Sequence, residues 1–444
     1  MRCLRDVHSS VVAVSLSIAV FGGAQAIAEE APPGIPDPSI ATSLPSAVAD
    51  PAGVRSALGR RGITFGVNYI GEVFGTVSGG INHNGYYDGR LEAYVSADME
   101  RLIGWKGLSF FANGYQIHGE SISGEGLGVL MPVSFIEANP GTRLFEAWFE
   151  QRLLDDKLSI RFGQLAADSE FILSDGGGAF INGTWGWPSI TAEAMPNGGP
   201  AYPLATPGVR VAFTPNDQLT LMATVYNGDP AGPCESDDAQ VCNKHGLNFR
   251  VTDPALTMFE GAYSYSLGGL HGTVKLGGWH NEGEFEGLLS GSVLNNDHGL
   301  YAILDQMIYA FQGGDDRKGI SFFGRVIGAP EDRNLVDMYW EAGLTFTGMM
   351  ASRPNDILGI GFAYTDISDD ARAKQVADGE AVIMSYEALI ELSYTAEIVP
   401  GFTVQPDFQY FWNPGSNVVD PDDPTGTTPV KDAAVIGIRS TINY

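Results

Sequence analysis

Apolar and polar residues alternate with a period of two along much of the chain, and one hairpin shows this clearly. In the stretch 143–153, the apolar positions are Phe145, Ala147 and Phe149, and the positions between them are Glu146, Trp148 and Glu150. A period of two is typical of a β-strand whose two faces meet different surroundings. A polar turn at 153–157 and a second alternating segment at 158–163 complete the predicted hairpin.

Similar segments predict strands along the rest of the chain. In the segment 90–99, an apolar row that includes Leu91 alternates with a polar row that includes Arg90 and Glu92. The remaining candidate strands lie at 63–69, 108–118, 209–213, 219–225, 257–267, 271–280, 300–311, 319–327, 339–346, 356–364, 380–395 and 402–412. The long acidic loops between them lie at 313–318, 366–379 and 413–432. Short turns at one end and long loops at the other are typical of outer-membrane barrels.

The last segment of the chain shows the alternation most regularly. One row is Ala434, Ile436, Ile438, Ser440, Ile442 and Tyr444, and the other is Val435, Gly437, Arg439, Thr441 and Asn443. An apolar row that ends in a terminal aromatic residue indicates the strand that closes a membrane barrel. We expect Tyr444 to be recognised by the barrel-assembly machinery.

Strands with one apolar face bury that face against a second sheet or turn it toward lipid. In lipid no water satisfies the amides of an edge strand, so a spanning sheet must close on itself. About 380 residues of hairpins, at about ten residues per strand plus connections, fit a barrel of roughly 14–18 strands. A barrel of that size leaves an aqueous channel. We therefore predict an all-β fold, a transmembrane antiparallel β-barrel over residues 57–444.

A long segment at 165–207 interrupts the series of strands. It shows no sustained periodicity, and connections longer than roughly 12–15 residues are uncommon unless they are functional or disordered. Its aromatic residues are Phe171, Phe180, Trp185, Trp187 and Tyr202. So many aromatic side chains need a surface to pack on, so we predict an ordered loop that folds into the barrel and constricts the pore.

The amino terminus has the features of a secretory signal peptide over residues 1–28. Arg2 and Arg5 precede an apolar run at 11–21, and small residues follow it. This run is shorter than the roughly 20 residues of a membrane-spanning helix. Residues 29–56 are rich in Pro, Ala and Ser, and we interpret them as a periplasmic segment that is flexible or docked below the barrel.

The charge and the cysteine content narrow the possible partners. Loss of residues 1–28 would remove two arginines and one aspartate, and the formal charge would change from −28 to −29. So acidic a surface repels nucleic acid. Cys234 and Cys242 lie in an acidic, turn-rich loop, where a disulfide is the favoured interpretation for an exported protein. A metal site that also uses His245 is the alternative.

Several blocks together resemble a known family. They read RLFEAWFEQRLLDDKLSIRFGQLAADSEF, GAFINGTWGWP, GGPAYPLATPGVRVAFTP and VYNGDPAGP, with YYDGRLEAYVSADMERLIGWKGLSFFANGYQIHGES before them and VQPDFQYFWNPGS and AAVIGIRSTINY after them. Over residues 55–444 the chain resembles the carbohydrate-selective outer-membrane porins of the OprB type. The resemblance implies about sixteen strands and the passage of neutral sugars. It also implies a terminal Phe, from which Tyr444 departs.

The polar strand faces supply candidate residues for lining the pore and contacting substrate. They are Arg90, Glu92, Glu146, Trp148, Glu150, Arg161 and Arg210, together with Trp185 and Trp187 of the long loop. Opposed Arg and Glu side chains offer donors and acceptors that match sugar hydroxyls, and Trp offers a flat apolar surface to the sugar ring. The alternatives are that the Arg–Glu pairs only brace the wall and that Trp185 and Trp187 only wedge the loop in place.

The leading functional hypothesis is passive, selective diffusion of small neutral sugars such as glucose. A general, mildly cation-preferring porin is the first alternative because of the acidic charge, and a secreted β-rich binding or adhesion protein is the second. No GxSxG, HExxH or phosphate-loop motif is present, so we predict neither an enzyme nor a cofactor. Outer-membrane lipid and lipopolysaccharide are expected partners, with divalent cations at acidic loops as one possible bridge. Association as a homotrimer is left open.

Overall fold

The computed structural model describes residues 33–236, 238–311 and 318–444. Its strands are β1 (Ile63–Gly80), β2 (Gly85–Asp98), β3 (Leu108–Gly119), β4 (Gly141–Leu153), β5 (Leu158–Leu165), β6 (Thr206–Asn216), β7 (Leu219–Asn227), β8 (Ala255–Leu267), β9 (Leu270–Glu286), β10 (Val293–Ala310), β11 (Gly319–Gly328), β12 (Val336–Thr347), β13 (Ile357–Ile367), β14 (Tyr386–Val399), β15 (Phe402–Trp412) and β16 (Lys431–Asn443). The predicted signal peptide, 1–28, lies outside the described residues.

Each strand pairs antiparallel with its neighbours in sequence, and β1 pairs with β16 to close a barrel. This confirms the predicted antiparallel barrel of about sixteen strands. The helices are short: α1 (Ser46–Ala49), α2 (Val54–Gly59), α3 (Met99–Ile103), α4 (Ser189–Ala194), α5 (Ala239–Cys242) and α6 (Asp369–Asp378), with 3₁₀ turns at Ile40–Ser43, Pro51–Gly53, Gly176–Ala179, Gly183–Trp185, Pro196–Gly198 and Pro414–Ser416 and a π turn at Ser123–Leu127. Among the described residues, no helix combines the length and apolar character needed to cross a membrane.

The period-two pattern explains why these segments form a barrel wall. Side chains of the apolar rows point outward and stay accessible, with Leu91, Ile436 and Ile438 exposed by 37%, 51% and 48%. Side chains of the polar rows, such as Glu72 and Arg439, are buried inside. A closed sheet satisfies its own backbone amides, so the apolar rows can face lipid without any unpaired edge.

The connections differ between the two ends of the barrel. The turn end carries the start of β1, the end of β16 and the tight connections at 154–157, 217–218, 268–269 and 400–401. The loop end carries the long connections at 120–140, 166–205, 228–254, 368–385 and 413–430. The acidic segment 313–318 was expected among the outer loops and lies mostly outside the described residues.

The segment before β1 packs against the end of the last strand. The guanidinium of Arg55 lies 4.8 Å from the ring centre of Phe65 and 4.2 Å from that of Tyr444. The hydroxyl of Tyr444 donates to the carbonyl of Val48, and its backbone N–H donates to the Val67 carbonyl at 2.7 Å. Of the two interpretations, flexible or docked, the structure favours the docked one for residues 33–56.

A β-bulge changes the face on which one predicted lipid-facing residue lies. The register between β3 and β4 passes from Ala112 opposite Ala147 to Gly114 opposite Leu144, so β4 holds one extra residue. As a result Phe145 is buried inside, like Glu146 beside it. Its ring packs 5.1 Å from that of Tyr115. The expectation that Phe145 shares the outward row is therefore wrong.

Aromatic residues mark both rims of the wall. At the turn end, the exposed Trp105 donates its indole N–H to Gln151 at 2.8 Å. At the loop end, the ring of Trp412 lies 4.8 Å from that of Tyr410, and Trp340 lies 5.7 Å from Tyr364. Such belts are typical of the two interfaces of an outer-membrane barrel.

Candidate functional site: a loop held inside the barrel

The connection between β5 and β6, residues 166–205, folds into the lumen, and we call it the inward loop. It leaves the wall at β5 and reaches lumen-facing side chains of β8 to β15, on the other side of the barrel. Two 3₁₀ turns, α4 and a third 3₁₀ turn give it local order. Its position depends on the polar side chains that receive it, and these differ between the two sides of the lumen.

On the far side, Glu391 of β14 binds the loop through three donors. Its carboxylate accepts the backbone N–H of Ile181 at 2.6 Å, that of Asn182 at 3.3 Å and the indole N–H of Trp185 at 2.6 Å. A buried donor left without a partner costs about 1–3 kcal/mol, so each of these three bonds favours the observed position of the loop. A single buried side chain therefore holds three donors in the middle of the inward loop.

A buried ion pair on β11 and β12 binds the same part of the loop from its carbonyl side. Arg325 pairs with Glu341 at 2.7 Å, and both side chains are inaccessible to solvent. Arg325 also donates to the carbonyls of Thr184 at 2.9 Å and Trp185 at 3.0 Å. A guanidinium presents several donors in one plane, so it can hold Glu341 and the loop backbone at once.

Three further wall side chains hold the first part of the loop. Glu260 of β8 accepts the N–H of Ile172 at 3.2 Å. Asp305 of β10 accepts the N–H of Gly176 at 3.1 Å. Lys275 of β9 donates to the carbonyl of Leu173 at 2.7 Å. Backbone N–H and C=O groups in this part of the loop, which have no strand partner, thus find partners among the wall side chains.

An aromatic wedge completes this far side, which we call the anchor side. The ring of Trp185 stacks on Phe180 at 4.6 Å and meets Phe323 of β11 edge-on at 5.8 Å. The backbone at Gly361 leaves room for it, because a Cβ there would lie 2.6 Å from the indole. Trp185 is only 2% exposed. It therefore acts as a wedge, and the interpretation that it presents its face to a sugar is wrong.

On the near side, four charged residues form what we call the arginine–glutamate cluster. They are Glu150 of β4, Arg161 of β5, Glu170 of the inward loop and Arg210 of β6. Arg161 lies 3.2 Å from Glu150 and 3.3 Å from Glu170, and Arg210 lies 3.6 Å and 2.8 Å from the same two carboxylates. The formal charges of these four residues sum to zero, and Arg152 lies 3.8 Å from Glu150 at the edge of the cluster. Glu170 is a member that the strand pattern could not reveal.

The strand register brings the cluster together. Glu150 is paired with Arg161 across β4 and β5, and Arg161 with Arg210 across β5 and β6. Cross-strand partners have Cβ atoms about 4.5–5.5 Å apart, so two arginines face each other directly. The two carboxylates between them stabilise that arrangement. Among the residues that the structure describes, Nε of Arg161 finds no hydrogen-bond partner.

The tryptophans of the near side lie in different surroundings. Trp148 of β4 is buried, with the guanidinium of Arg161 3.9 Å from its ring centre and Phe111 at 5.1 Å. Trp187 of the inward loop is half-buried and donates its indole N–H to the Gly198 carbonyl at 3.0 Å. Of the three candidate tryptophans, Trp187 is the one that retains an accessible surface.

Another arginine, Arg90, occupies a separate site. Arg90 of β2 lies 3.9 Å from Glu92 and is surrounded by the rings of Tyr115 at 4.6 Å and Tyr202 at 5.4 Å. Asn113 donates to Glu92 at 2.7 Å. Arg90 and Glu92 thus face inward as predicted from the pattern, but their contacts are separate from the arginine–glutamate cluster.

Two acidic groups of the inward loop have a raised pKa, and one of them, Asp168, interacts electrostatically with Arg90. Burial raises the pKa of Asp168 to about 6, although the backbone N–H of Tyr202 donates to it at 2.7 Å and lowers the pKa. Burial also raises the pKa of Glu193 above its usual range. Glu146 of β4 accepts the backbone N–H of Ala166 at 3.1 Å, so it holds the start of the loop.

A second loop, residues 120–140 between β3 and β4, also enters the barrel. Glu387 of β14 accepts the N–H groups of Leu130 at 2.9 Å and Met131 at 2.7 Å. Asn182 of the inward loop donates to the Met131 carbonyl at 3.2 Å. Sequence reasoning missed this loop, although the absence of alternation between 120 and 140 is a usable signal.

The disulfide and metal interpretations concern the loop at 228–254. The structure joins Cys234 and Cys242 in a disulfide, with their Cα atoms 5.8 Å apart. His245 donates through Nδ1 to the Thr142 carbonyl at 2.9 Å. Within the part of the chain that the structure describes, no three His, Cys, Asp or Glu side chains form a group that could hold a metal ion.

The comparison with protein families decides what this barrel is. The model of the carbohydrate-selective porin, OprB family, matches residues 82–444. The chain belongs to the OprB family. This confirms the family resemblance and the outer-membrane location, and it identifies the protein as a porin of a carbohydrate-selective family. The short turns of such barrels face the periplasm and the longer loops the exterior.

Individual OprB-family relatives agree over nearly the whole chain. Porin B of Pseudomonas aeruginosa is 23% identical over 441 aligned residues, which cover 88% of this chain and 90% of the relative. The putative porin QuiX of Acinetobacter baylyi is 22% identical, covering 89% and 92%. The high pH structure of Pseudomonas putida OprB superposes with a TM-score of 0.77 at 21% identity, covering 89% of this chain and 97% of that one.

Proposed function

We propose that the protein allows small neutral sugars such as glucose to diffuse passively and selectively through a lumen narrowed by the inward loop. The observation that carries this proposal is the arginine–glutamate cluster, in which two cations and two anions lie close together with no net charge. A lining of balanced charge imposes no net electrostatic barrier on a neutral solute. It still offers many hydrogen-bonding groups to replace water around the sugar.

Each part of the cluster has a role in this proposal. Arg161 and Arg210 supply donors, and Glu150 and Glu170 supply acceptors, so adjacent hydroxyls of a sugar ring find both kinds of partner. Trp187 offers an apolar surface to the C–H groups of the ring. Arg90, Glu92, Glu146 and Trp148 support the same wall and complete the proposed lining.

A liposome-swelling assay tests the proposal. Glucose should enter proteoliposomes faster than gluconate and glucosamine, which are close to it in size but carry opposite charges. Equal rates for the three solutes would remove the selectivity from the proposal, and the absence of any pore in a planar bilayer would remove the channel.

A second candidate is a general porin with a mild preference for cations. The formal charge of −28 and the loop carboxylates Asp168 and Glu193 favour it. Charge biases ion entry only within roughly a Debye length, about 8 Å at physiological salt, so these carboxylates matter more than distant outer loops. Reversal potentials in a salt gradient, together with the swelling rates, separate the two candidates.

The remaining expectations belong to the same proposal. Cleavage after residue 28 would produce the mature chain, and amino-terminal sequencing of the exported protein checks it. Recognition of Tyr444 by the assembly machinery predicts a lower yield of folded barrel when this residue is deleted. Contacts with lipopolysaccharide and association as a homotrimer stay predictions.

A further inference from the structure

The strands on one side of the barrel are short. β5 has 8 residues and β7 has 9, whereas β1 and β10 have 18 each. The pairing of β4 with β5 ends at Ala147 opposite Gln164. Residues 141–146 of β4 therefore have no partner on β5, although they continue toward the loop end.

The loop at 228–254, which we call the disulfide loop, fills this gap. The backbone N–H of Leu144 donates to the carbonyl of His245 at 3.0 Å, and His245 donates through its ring to Thr142 at 2.9 Å. Gly246 lies so close that a Cβ there would be 1.9 Å from the Leu144 carbonyl oxygen, and its φ is +63°. The disulfide loop thus takes the place beside β4 that a longer β5 would occupy.

The other end of the disulfide loop is held at β7 and β8. Asn227 donates to Asp253 at 2.9 Å, and Gly228 donates to the Pro254 carbonyl at 3.0 Å. Asn139 of the loop 120–140 donates to Asp238. The Cys234–Cys242 bridge closes the first part of the disulfide loop. The segment between these attachments is therefore held at both ends.

The segment 247–251 carries apolar residues at every second position, although it is not a strand. Leu247, Phe249 and Val251 are 60%, 54% and 74% exposed. Between them, Asn248 donates to the Ala231 carbonyl at 3.2 Å and Arg250 pairs with Asp253 at 2.8 Å. Apolar side chains are thus exposed at every second position, although Asn248 between them is also exposed, unlike the inward row of a strand.

The exposed row continues an established surface. The outward side chains of the short strands, Phe162, Val209 and Val225, are likewise exposed and belong to the face that the outer membrane covers. We infer that residues 247–251 form part of the lipid-facing wall and contact the acyl chains of the outer membrane. An apolar row of this kind is unfavourable in water, and it extends the apolar band where the strands are too short to supply it.

Site-directed spin labelling of the reconstituted protein tests this inference. A label at Phe249→Cys should be as accessible to oxygen, and as protected from a water-soluble nickel chelate, as one at the mid-wall position Phe259→Cys. Val376→Cys on α6, which is also exposed, gives the aqueous reference. One label per chain shows that the native disulfide is intact.

Two outcomes would overturn the inference. Nickel accessibility equal to that at Val376 would mean that the segment faces water. Protection from both reagents would mean a protein contact, such as a second copy of the chain. As an independent measurement, Phe249→Asp should lower the fraction of heat-modifiable, folded barrel more than Val376→Asp, and equal effects would contradict lipid contact.

Discussion

The two sides of the lumen use the same kinds of residue for different purposes. On the anchor side, Glu391 accepts two backbone N–H groups and the Trp185 indole of the inward loop, and Arg325 donates to carbonyls of the loop as well as to Glu341. In the arginine–glutamate cluster, Arg161 and Arg210 bind mainly the carboxylates of Glu150 on the wall and of Glu170 in the inward loop. A charged side chain whose partners are backbone groups fixes a position. One whose partners are other charged side chains, as in the arginine–glutamate cluster, supplies donors and acceptors at the lumen wall, although Glu150, Arg161 and Arg210 are themselves buried.

The contrast teaches that charge in a pore lining is not by itself a sign of substrate contact. Trp185 and Trp187 make the same point for aromatic residues. Trp185 is covered by Phe180 and Phe323 and bonded to Glu391, whereas Trp187 bonds only within the loop and stays half-buried. The anchor side should control stability and pore width, and the cluster should control which solute passes.

The largest effect is expected from breaking the anchor. Glu391→Ala would leave three buried donors unsatisfied, at a cost of about 3 kcal/mol or more. The inward loop should leave the wall, so single-channel conductance should rise and the preference for glucose over gluconate should disappear. Bilayer recordings and urea unfolding measure the two effects.

The matched control for this prediction is Glu391→Gln. Its carbonyl oxygen still accepts one of the two sets of donors, so its conductance and stability should fall between those of the wild type and Glu391→Ala. Unchanged conductance in Glu391→Ala would contradict the role of the anchor side.

The next largest effect should come from the cluster. Arg161→Ala removes a donor and leaves the cluster with a charge of −1, so sugar entry should fall about fivefold for a loss of about 1 kcal/mol, and cation preference should rise. Arg161→Lys keeps the charge but loses the planar fork. It should slow sugar entry without changing the reversal potential. Equal sugar rates in all three proteins would show that the cluster only braces the wall.

A smaller effect should separate the two tryptophans. Trp185→Phe keeps an aromatic ring but loses the bond to a carboxylate, which costs about 1.5–3 kcal/mol of unfolding free energy. Trp187→Phe loses a bond to a backbone carbonyl, which costs about 1 kcal/mol. Chemical unfolding in detergent measures both. A larger loss at Trp187 would reverse the assignment of wedge and lining.

The smallest effect should be a pH dependence of ion preference. Burial raises the pKa of Asp168 to about 6, so the carboxyl is ionised above that pH and neutral below it. Lowering the pH from 7.5 to 5 should therefore remove one negative charge near Arg90 and weaken the cation preference. Reversal potentials of the wild type and Asp168→Asn measure this. The variant should show less change over this range, and an identical change would assign the effect to another group.

Much of the barrel could be predicted from the sequence because its wall follows a local rule. Glu150, Arg161 and Arg210 share a polar face, and adjacent strands then bring them together. Phe145 was placed on the wrong face because a bulge opposite Asn113 adds one residue to β4. A single sequence gives no sign of such a bulge when the residues on both sides of it are apolar.

The anchor side could not be predicted, because its contacts join residues that are far apart in the chain. Glu391 binds a tryptophan 206 residues before it, and neither a period nor a motif links the two. Glu170 was missed for a similar reason, since it lies in a loop without periodicity. The pattern shows which face a strand residue occupies, but it does not show what an irregular loop places opposite that face.

The docking of residues 33–56 onto Tyr444 makes the two ends of the chain depend on each other. β1 obtains one of its two neighbours only from β16, and Arg55 finds the ring of Tyr444 only after the final residue has been synthesised and placed. A chain that lacks β16 leaves its own first strand half-paired. Resistance of the 33–56 segment to protease therefore reports that the circle of strands has been completed.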